Sequence, residues 1–447
     1  MRVKLLAIIT SFLTMSVVIS SCLDSDTNLE YSSDATIRAF ALDTVRGVDY
    51  EFTIDQLQRI IYNRDSMPLG ADTIIDSIKI KTLDVNWAVT TGAKDTTLNI
   101  DNYQNLLPAM NKSGEEGIKL KVHAADAVTT RLYTLQIRVH QQDPDTLVWH
   151  DMQKSSAIFD TKVNNGTQKA IVFNNELWIY TSYNNAYKTS VEEGRYAWST
   201  AIAVAGLPED TQLKSLKAFG NKLYLVTASG DVYTTTNGAQ WLRSGTLSQD
   251  IVTLVATMDA SEASHTQATL IGIQKDQESG INYFCTTTDE ATWTRGEQVP
   301  EGFPTENIYH TSLPTANGTN KIVIMGEQAV NQKATIPWFT TNGKGWASLE
   351  NNAYDSHCPG MHNPFLAYYG DKLYSFGGKF DAIYGSVTGI EWRKTEKKFL
   401  LPAEFKDKGN YTATIDNNHF IWIIFGGNGT KNEVWRGRLN RLGFKEQ

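Results

Sequence analysis

Between residues 35 and 140 the chain alternates apolar and polar side chains with a period of two. The alternation is clearest in residues 78–81, 118–122 and 135–139, where every second position is Ile, Leu or Val. Side chains of a β-strand point alternately to opposite faces, so each segment predicts a strand with one buried face. About eight such candidates, separated by polar turns, predict a β-sheet domain whose apolar face needs a second layer to cover it.

The number and spacing of these strands favour an immunoglobulin-like β-sandwich over residues 35–142. Only residues 55–61 suggest a short helix, because Asp55 is suited to cap it and Leu57, Ile60 and Ile61 would share one face. The polar segment 141–145 interrupts the strand pattern and contains Pro144. This break predicts a domain boundary.

After the boundary, the pattern is organised around tryptophan. Six Trp residues recur every 43 to 53 residues, each at the start of a short predicted strand: Trp149, Trp198, Trp241, Trp293, Trp346 and Trp392. An aromatic residue followed by Ser or Thr precedes five of them, and a strongly apolar strand lies earlier in each repeat. A repeat of this length with about four strands is typical of a propeller blade, which buries its faces only against neighbouring blades.

The end of the chain indicates how the repeats close. The last repeat contains three predicted strands, in residues 411–414, 420–425 and 434–437, and lacks a fourth that begins with Trp. The segment Leu147-Val148-Trp149-His150 has no blade of its own before it. We therefore expect it to be the outer strand of the last blade. The expected fold is all-β: the immunoglobulin-like sandwich, followed by a six-bladed β-propeller over residues 146–447.

Two short motifs carry resemblances to known repeats. Phe376-Gly377-Gly378 and Phe425-Gly426-Gly427 follow apolar strands and resemble kelch repeats. The segments 236–241 and 341–346, each with Asn-Gly before a Trp, resemble degenerate Asp-box turns. These two segments lack the Asp of the Asp-box motif and are one residue shorter than it. The second resemblance therefore implies turn geometry without sialidase chemistry.

The first residues predict export. Arg2 and Lys4 precede the apolar segment 5–19, which is too short to span a membrane, and Ser20-Ser21-Cys22 follow it. This end resembles the bacterial lipobox, which implies removal of residues 1–21 and a membrane anchor through lipidated Cys22. The acidic tether, residues 22–34, is similar to sorting signals of Bacteroides-type lipoproteins. With the two domains, the chain resembles a family of such surface lipoproteins, which implies an outer-membrane location. A periplasm-facing protein with an acidic linker is the alternative.

Charge argues against nucleic acid as a partner. The formal net charge is −8, and loss of Arg2 and Lys4 with the leader makes it more negative. Nucleic-acid binding requires a clustered basic face, whereas the only short basic runs lie in residues 393–398. After Cys22, Cys285 and Cys358 are the remaining cysteines, and their spacing does not indicate a disulfide.

No catalytic constellation is evident in the sequence, so we expect a binding protein without a cofactor. His357, Cys358 and His362 lie close together, but they lack a known metal-ligand spacing. A turn at Pro359-Gly360 explains the segment better, and we expect no metal there. The ligand-binding candidates are the loop residues and aromatics His357, His362, Asp381, Trp338, Tyr183, Tyr354 and Tyr369. Among the carboxylates expected to face loops, Asp381 and Glu327 are candidates for a glycosidase.

The expected ligand is a glycan or a protein, because exposed aromatic side chains suit both kinds of surface. Two alternatives remain open. A propeller-type carbohydrate-active enzyme would need a pair of carboxylates, and 49 Asp and Glu residues offer many pairs without marking one. A structural spacer would need no pocket at all.

Overall fold

A computed structural model of the chain describes residues 31–91, 95–152, 168–263, 265–316, 318–327, 333–350, 356–408, 410–426 and 433–443. The chain divides into two compact units, Met1–Asp143 and Pro144–Gln447. The division falls within the polar segment 141–145, where the sequence predicts a boundary. In the described residues no helix has the length and apolarity that crossing a membrane requires.

The N-terminal unit is built almost entirely of strands. Its elements are β1 Ile37–Leu42, β2 Phe52–Asp55, β3 Ile60–Asn63, helix α1 Asp72–Ile75, β4 Ile80–Val85, β5 Ala88–Thr91, β6 Thr96–Thr97, a 3-10 turn Leu107–Ala109, β7 Ile118–His123 and β8 Thr130–Gln136. Strands β1 and β4 form one antiparallel pair. The others form a six-stranded sheet in the order β2-β3-β8-β7-β5-β6.

The predicted alternation is present in β7, where buried and partly buried side chains alternate, but it is absent from residues 133–137, whose side chains are all buried. Leu120 and Val122 of β7 are buried, and Leu135 of β8 lies in the same core. The six-stranded sheet is mixed, because β3 and β8 run parallel while the other pairs are antiparallel. The all-β prediction is confirmed for this unit, and the immunoglobulin-like arrangement stays a prediction.

The short helix expected over residues 55–61 is wrong. Strands β2 and β3 form an antiparallel hairpin there, and the Asp55 carboxylate accepts hydrogen bonds from the backbone N–H groups of Leu57 and Gln58, both at 2.8 Å. Asp55 therefore closes a turn rather than capping a helix. Leu57 is 95% exposed at that turn. The apparent helical face of Leu57, Ile60 and Ile61 was a coincidence of spacing.

The C-terminal unit contains six four-stranded antiparallel sheets in its described residues, which we number as blades 1 to 6. Blades 1 to 3 are β10 Lys169–Phe173, β11 Glu176–Ser182, β12 Asn185–Ser190, β13 Ile202–Ala203; β14 Thr211–Phe219, β15 Lys222–Thr227, β16 Val232–Thr235, β17 Leu242–Arg243; and β18 Ile251–Met258, β19 Thr269–Lys275, β20 Asn282–Thr287, β21 Thr294–Gln298. Blades 4 to 6 are β22 Glu306–Pro314, β23 Asn320–Glu327, β24 Trp338–Thr340, β25 Ala347–Ser348; β26 Phe365–Tyr369, β27 Lys372–Phe376, β28 Tyr384–Ser386, β29 Arg393–Lys394; and β30 Tyr411–Ile415, β31 Ile421–Phe425, β32 Glu433–Leu439 with β9 Leu147–Asp151. Two 3-10 turns, Ala403–Phe405 and Asn440–Gly443, complete the unit.

Strand β9 is the fourth strand of blade 6, as the sequence predicts. It pairs antiparallel with β32, with Leu147 opposite Leu439 and Trp149 opposite Gly437. The Trp149 indole packs edge-on against Phe405 with ring centroids 5.3 Å apart, and its N–H donates to the Leu400 carbonyl at 2.9 Å. Strand β9, the first strand of the C-terminal unit, is therefore held by residues that come 250 or more positions later in the sequence.

The recurring Trp residues mark the turns between the third and fourth strands. Trp241, Trp346 and Trp392 are buried and stand immediately before β17, β25 and β29. Trp198 differs, because three residues separate it from the start of β13 at Ile202. Ahead of Trp241, the Asn237 side chain accepts backbone hydrogen bonds from Ala239 and Gln240, at 3.0 and 2.9 Å. This is the turn geometry that the Asp-box resemblance implies.

Blade-to-blade packing explains the glycine in that turn. Gly238 has a φ of +78°, and a β-carbon there would lie 2.8 Å from the ring of Trp178 in blade 1. No side chain fits without displacing the indole, so only glycine satisfies both the left-handed backbone and the close approach. Packing against Trp178 of the neighbouring blade therefore explains why this position of the repeat is glycine.

The first strands of the blades are joined to one another across the unit. The Ala170 N–H of blade 1 donates to Thr412 Oγ1 of blade 6 at 2.9 Å. The Tyr368 N–H of blade 5 donates to Thr311 Oγ1 of blade 4, also at 2.9 Å. These bonds join blade 1 to blade 6 and blade 4 to blade 5, and residues from the first strands of all six blades line one cavity.

Candidate functional site

A pocket lined mostly by polar residues, which we call the polar pocket, opens between the turn after β11 of blade 1 and the first strands of blades 2 to 4. It encloses about 460 Å³. Its walls are the turn after β11, the approach to β14, and the first residues of β18 and β22, with the lining residues Ser182, Tyr183, Glu209, Thr211, Gln212, Leu213, Lys214, Ser215, Thr253, Leu254, Thr305, Glu306, Asn307 and Ile308. Most of these side chains can donate or accept hydrogen bonds, so the pocket suits a hydroxylated ligand.

Tyr183 supplies the aromatic ring of this pocket. The ring is partly buried, and its hydroxyl donates to Glu209 Oε1 at 3.2 Å. That hydrogen bond to the Glu209 carboxylate raises the pKa of Tyr183 above its usual value. Tyr183 was a ligand-binding candidate from the sequence, and the structure places it in a pocket. Glu209 and Glu306, two exposed carboxylates, line the same pocket.

A second cavity of about 460 Å³ lies between the innermost strands of the blades. We call it the central cavity. It is lined by residues from β10, β14, β18, β22, β26 and β30, together with Asn417, and Ile308 lines both this cavity and the polar pocket. The described lining residues include Lys169, Lys217 and His310 but no Asp or Glu.

The two lysines of the central cavity are deeply buried. Lys169 is 8% exposed and Lys217 is 3% exposed. Burial, with a smaller contribution from the charge of Lys214, lowers the pKa of Lys169 to about 8. Burial and the charge of Lys169 lower the pKa of Lys217 well below its usual value. Low polarity and mutual repulsion therefore both disfavour the charged ammonium groups.

His310 and Tyr309 complete the wall contributed by β22. His310 Nε2 lies 3.0 Å from Thr257 Oγ1, and burial together with the charges of Lys217 and Lys169 lowers the pKa of His310 to about 3. Burial raises the pKa of Tyr309 to about 12. At neutral pH the imidazole and the phenol are therefore uncharged, and the two lysines are the side chains of this wall that can carry positive charge.

The loop residues His362 and Glu327 lie together, outside both cavities. His362 Nδ1 lies 2.5 Å from Glu327 Oε1, and Asn307 Nδ2 donates to Glu327 Oε2 at 2.5 Å. Asn307 also lines the polar pocket. Asp381, on the loop between β27 and β28, is exposed. The structure therefore brings His362 and Glu327 next to the pocket that contains Tyr183, whereas Asp381 lines neither cavity.

Two aromatic candidates lie in the core. Trp338 is 8% exposed and packs edge-on against Phe303 at 5.3 Å. Tyr369 is buried, donates to the His419 carbonyl at 2.8 Å and accepts from the Leu439 N–H at 2.9 Å. These contacts favour packing roles for both. Tyr354, like Cys22, lies outside the described residues.

The segment that contains His357 and His362 is a connection between blades 4 and 5. His357 is partly buried and Cys358 is buried, with burial raising the pKa of the Cys358 thiol. In the described ranges no three His, Cys, Asp or Glu side chains converge as a metal site. Cys285 and Cys358 are both free thiols. The turn expected at Pro359-Gly360 is wrong, because this backbone is paired with another segment: Pro359 forms an antiparallel bridge with Ala334, and the Gly360 N–H donates to the Lys333 carbonyl at 3.1 Å.

Lys169 and Lys217 were missed by sequence reasoning. Each stands among apolar residues in the strand that precedes the most apolar strand of its repeat, Lys169 before Ala-Ile-Val-Phe and Lys217 between Leu216 and Ala218. A lysine in the innermost strand of a blade is the signal that would have identified them, because such strands have little access to solvent.

Solved structures with similar folds include a protein of unknown function from Dyadobacter fermentans, with 11% identity, a TM-score of 0.39, and coverage of 63% of this chain and 96% of that one. A fungal lectin from Aleuria aurantia, described as a six-bladed β-propeller, has 11% identity, a TM-score of 0.39, and coverage of 62% and 93%. A carbohydrate-active enzyme of family AA12 from Trichoderma reesei has 11% identity, a TM-score of 0.41, and coverage of 66% and 96%.

No curated protein matches the sequence. Family models match both units. Residues 22–137 correspond to the DUF6242 N-terminal domain of unknown function. Residues 143–447, which contain all six blades, correspond to the DUF6242 β-propeller domain, and the chain therefore belongs to the DUF6242 family.

Proposed function

We propose that the propeller is a binding module that holds a glycan in the polar pocket. The observation that carries the proposal is the position of Tyr183 in a pocket of about 460 Å³ among hydrogen-bonding side chains. Sugars present hydroxyl groups at their edges and apolar C–H groups on their faces. A wall of polar side chains with one aromatic ring complements both, and the volume suits one or two sugar residues.

The proposal also covers where the binding module lies and how it is attached to the cell. Export follows from the leader in residues 1–21, and the anchor is a lipid on Cys22. An acidic tether and an immunoglobulin-like N-terminal unit then hold the propeller at the outer surface of the cell. Within the propeller, the pairing of β9 with β32 locks the ring of blades.

A glycan array probed with residues 31–447, which contain every described strand, tests the ligand class. Binding to a defined set of glycans is expected, and Tyr183→Ala should weaken it by about tenfold or more through loss of the stacking surface. Tyr103→Ala is the matched control, because Tyr103 is exposed on the N-terminal unit.

A blank array, or binding that Tyr183→Ala leaves unchanged, contradicts the proposal. A pull-down that retains a protein while the array stays blank would support the protein-ligand alternative. We further propose that the module binds without turnover.

One observation favours a second candidate, a carbohydrate-active enzyme. Glu209 and Glu306 line the same pocket, and a pair of carboxylates is what glycosidic hydrolysis requires. Incubation with a panel of aryl glycosides and polysaccharides separates the two functions. Release of sugar that Glu209→Gln or Glu306→Gln abolishes would establish the enzyme. Retained glycan binding with no release supports the binding module.

A further inference from the structure

We propose that the central cavity is a binding site for a compact anion, held by the ammonium groups of Lys169 and Lys217. This inference concerns a different cavity from the polar pocket and so goes beyond the glycan-binding function proposed above. The ligand class is an oxyanion, from either an inorganic source such as sulfate or the carboxylate of an acidic sugar.

The first step is the charge of the cavity wall. Two lysines enter it, from β10 in blade 1 and from β14 in blade 2, and Lys214 is near enough to affect the pKa of Lys169. None of the described residues that line the cavity is acidic. An ammonium charge on either lysine is therefore not balanced by the side chains that line the cavity.

The second step is the cost of burying these groups. Removing an ammonium group from water is strongly unfavourable unless an opposite charge or several hydrogen bonds replace the water. In the described residues Lys217 Nζ has one long hydrogen bond, 3.4 Å to the Ile308 carbonyl. Lys169 Nζ lies 4.4 Å from the centroid of the Tyr309 ring. These contacts are weak compensation, whereas an anion between the two amines would supply the missing charge.

The third step is the kind of anion that fits. Hydroxyl groups of Thr257, Thr311 and Thr414 and the amide of Asn417 come from residues that line the same cavity. They can hydrogen-bond the remaining oxygens of a sulfate or the hydroxyl groups of a sugar acid. A volume of about 460 Å³ leaves room for a single sugar ring but excludes a long polymer.

Calorimetric titration of residues 31–447 with sodium sulfate, sodium glucuronate and neutral glucose tests the site at fixed ionic strength. Sulfate or glucuronate should bind and glucose should not. Lys169→Met and Lys217→Met should each weaken anion binding by about tenfold or more, because each removes one charge. Lys344→Met is the matched control, because Lys344 is exposed on the turn before β25.

The thermal midpoints of both cavity variants show whether they fold. Methionine has a similar length without the charge, so their midpoints should equal or exceed that of the parent protein. Tighter binding of sulfate than of glucuronate identifies an inorganic anion, and the reverse identifies an acidic sugar. Both results support the site.

Anion binding that survives in folded Lys169→Met and Lys217→Met proteins overturns the proposal, as does the absence of binding to both anions. The outcome is independent of the glycan-binding proposal, because Tyr183→Ala should leave anion binding unchanged. Conversely, loss of anion binding in Lys217→Met with an unchanged glycan-binding profile would show that the central cavity and the polar pocket bind their ligands independently.

Discussion

His310 is partly buried as a neutral imidazole, and this makes the fold sensitive to acid. Its pKa is about 3 in the folded protein and 6.5 when exposed. Unfolding therefore takes up a proton between these values, so stability falls as the pH decreases from about 6.5 towards 3. The contribution of this group is about 1.4 kcal/mol for each pH unit in that window.

His310→Gln should flatten this pH dependence, because glutamine can still hydrogen-bond Thr257 but does not titrate. Denaturant unfolding of both proteins at pH 7, 6, 5 and 4 provides the measurement. The free energy of unfolding of the parent should decrease more steeply than that of the variant. Parallel curves would show that His310 is protonated or exposed in the folded state.

Residue-level chemistry was the least predictable part of the molecule. Tyr183 was a candidate because it is an aromatic residue outside the periodic Trp pattern, and its role in binding stays a prediction. Lys169 and Lys217 were not, because a single sequence does not show which face of an innermost strand points to the shared cavity. That direction depends on strand pairing and bulges, such as the register shift between Gln212 and Lys217.

At the level of elements, strand β9 should decide whether the propeller is stable. A protein that begins at residue 144 retains β9, whereas one that begins at residue 153 loses the partner of β32 and exposes its edge. The longer protein should be soluble and melt cooperatively. The shorter one should melt at a lower temperature or aggregate, because an unpaired strand edge invites association.

Trp149→Ala in the longer protein tests the same contact with a smaller change. The indole is partly buried against Phe405, so its removal should destabilise the unit by about 1–3 kcal/mol. Equal melting temperatures for the proteins that begin at residues 144 and 153 would show that β9 adds nothing to blade 6.

The periodic Trp residues made the blades predictable, because each one serves the same packing between neighbours. The spacing of apolar residues in a short segment led to a wrong prediction where no repeated packing contact supported it. In residues 55–61 the apolar positions fit a helix, but the Asp55 turn and the parallel pairing of β3 with β8 stabilise a hairpin instead. Pairing with a strand more than 70 residues away cannot be seen in a local pattern.

For the whole molecule, anchoring should depend on one thiol. Cys22→Ala should move the protein from the membrane fraction to the soluble fraction of its host cell, because the proposed anchor is a lipid on the Cys22 thiol. Immunoblotting of the fractions provides the measurement, and Ser25→Ala, three residues later in the tether, is the control. Membrane retention of Cys22→Ala would show that another feature holds the protein there.

The pairing of β9 with β32 also determines when folding can finish. Asp145 and Arg441, which are hydrogen-bonded in the folded protein, are separated by 296 residues. During synthesis β9 appears before any other strand of the propeller, yet its partner emerges almost last. Throughout that interval β9 remains an unpaired strand that is open to association with other chains. Completion of the ring by β9 therefore has to wait until β32 has been synthesised.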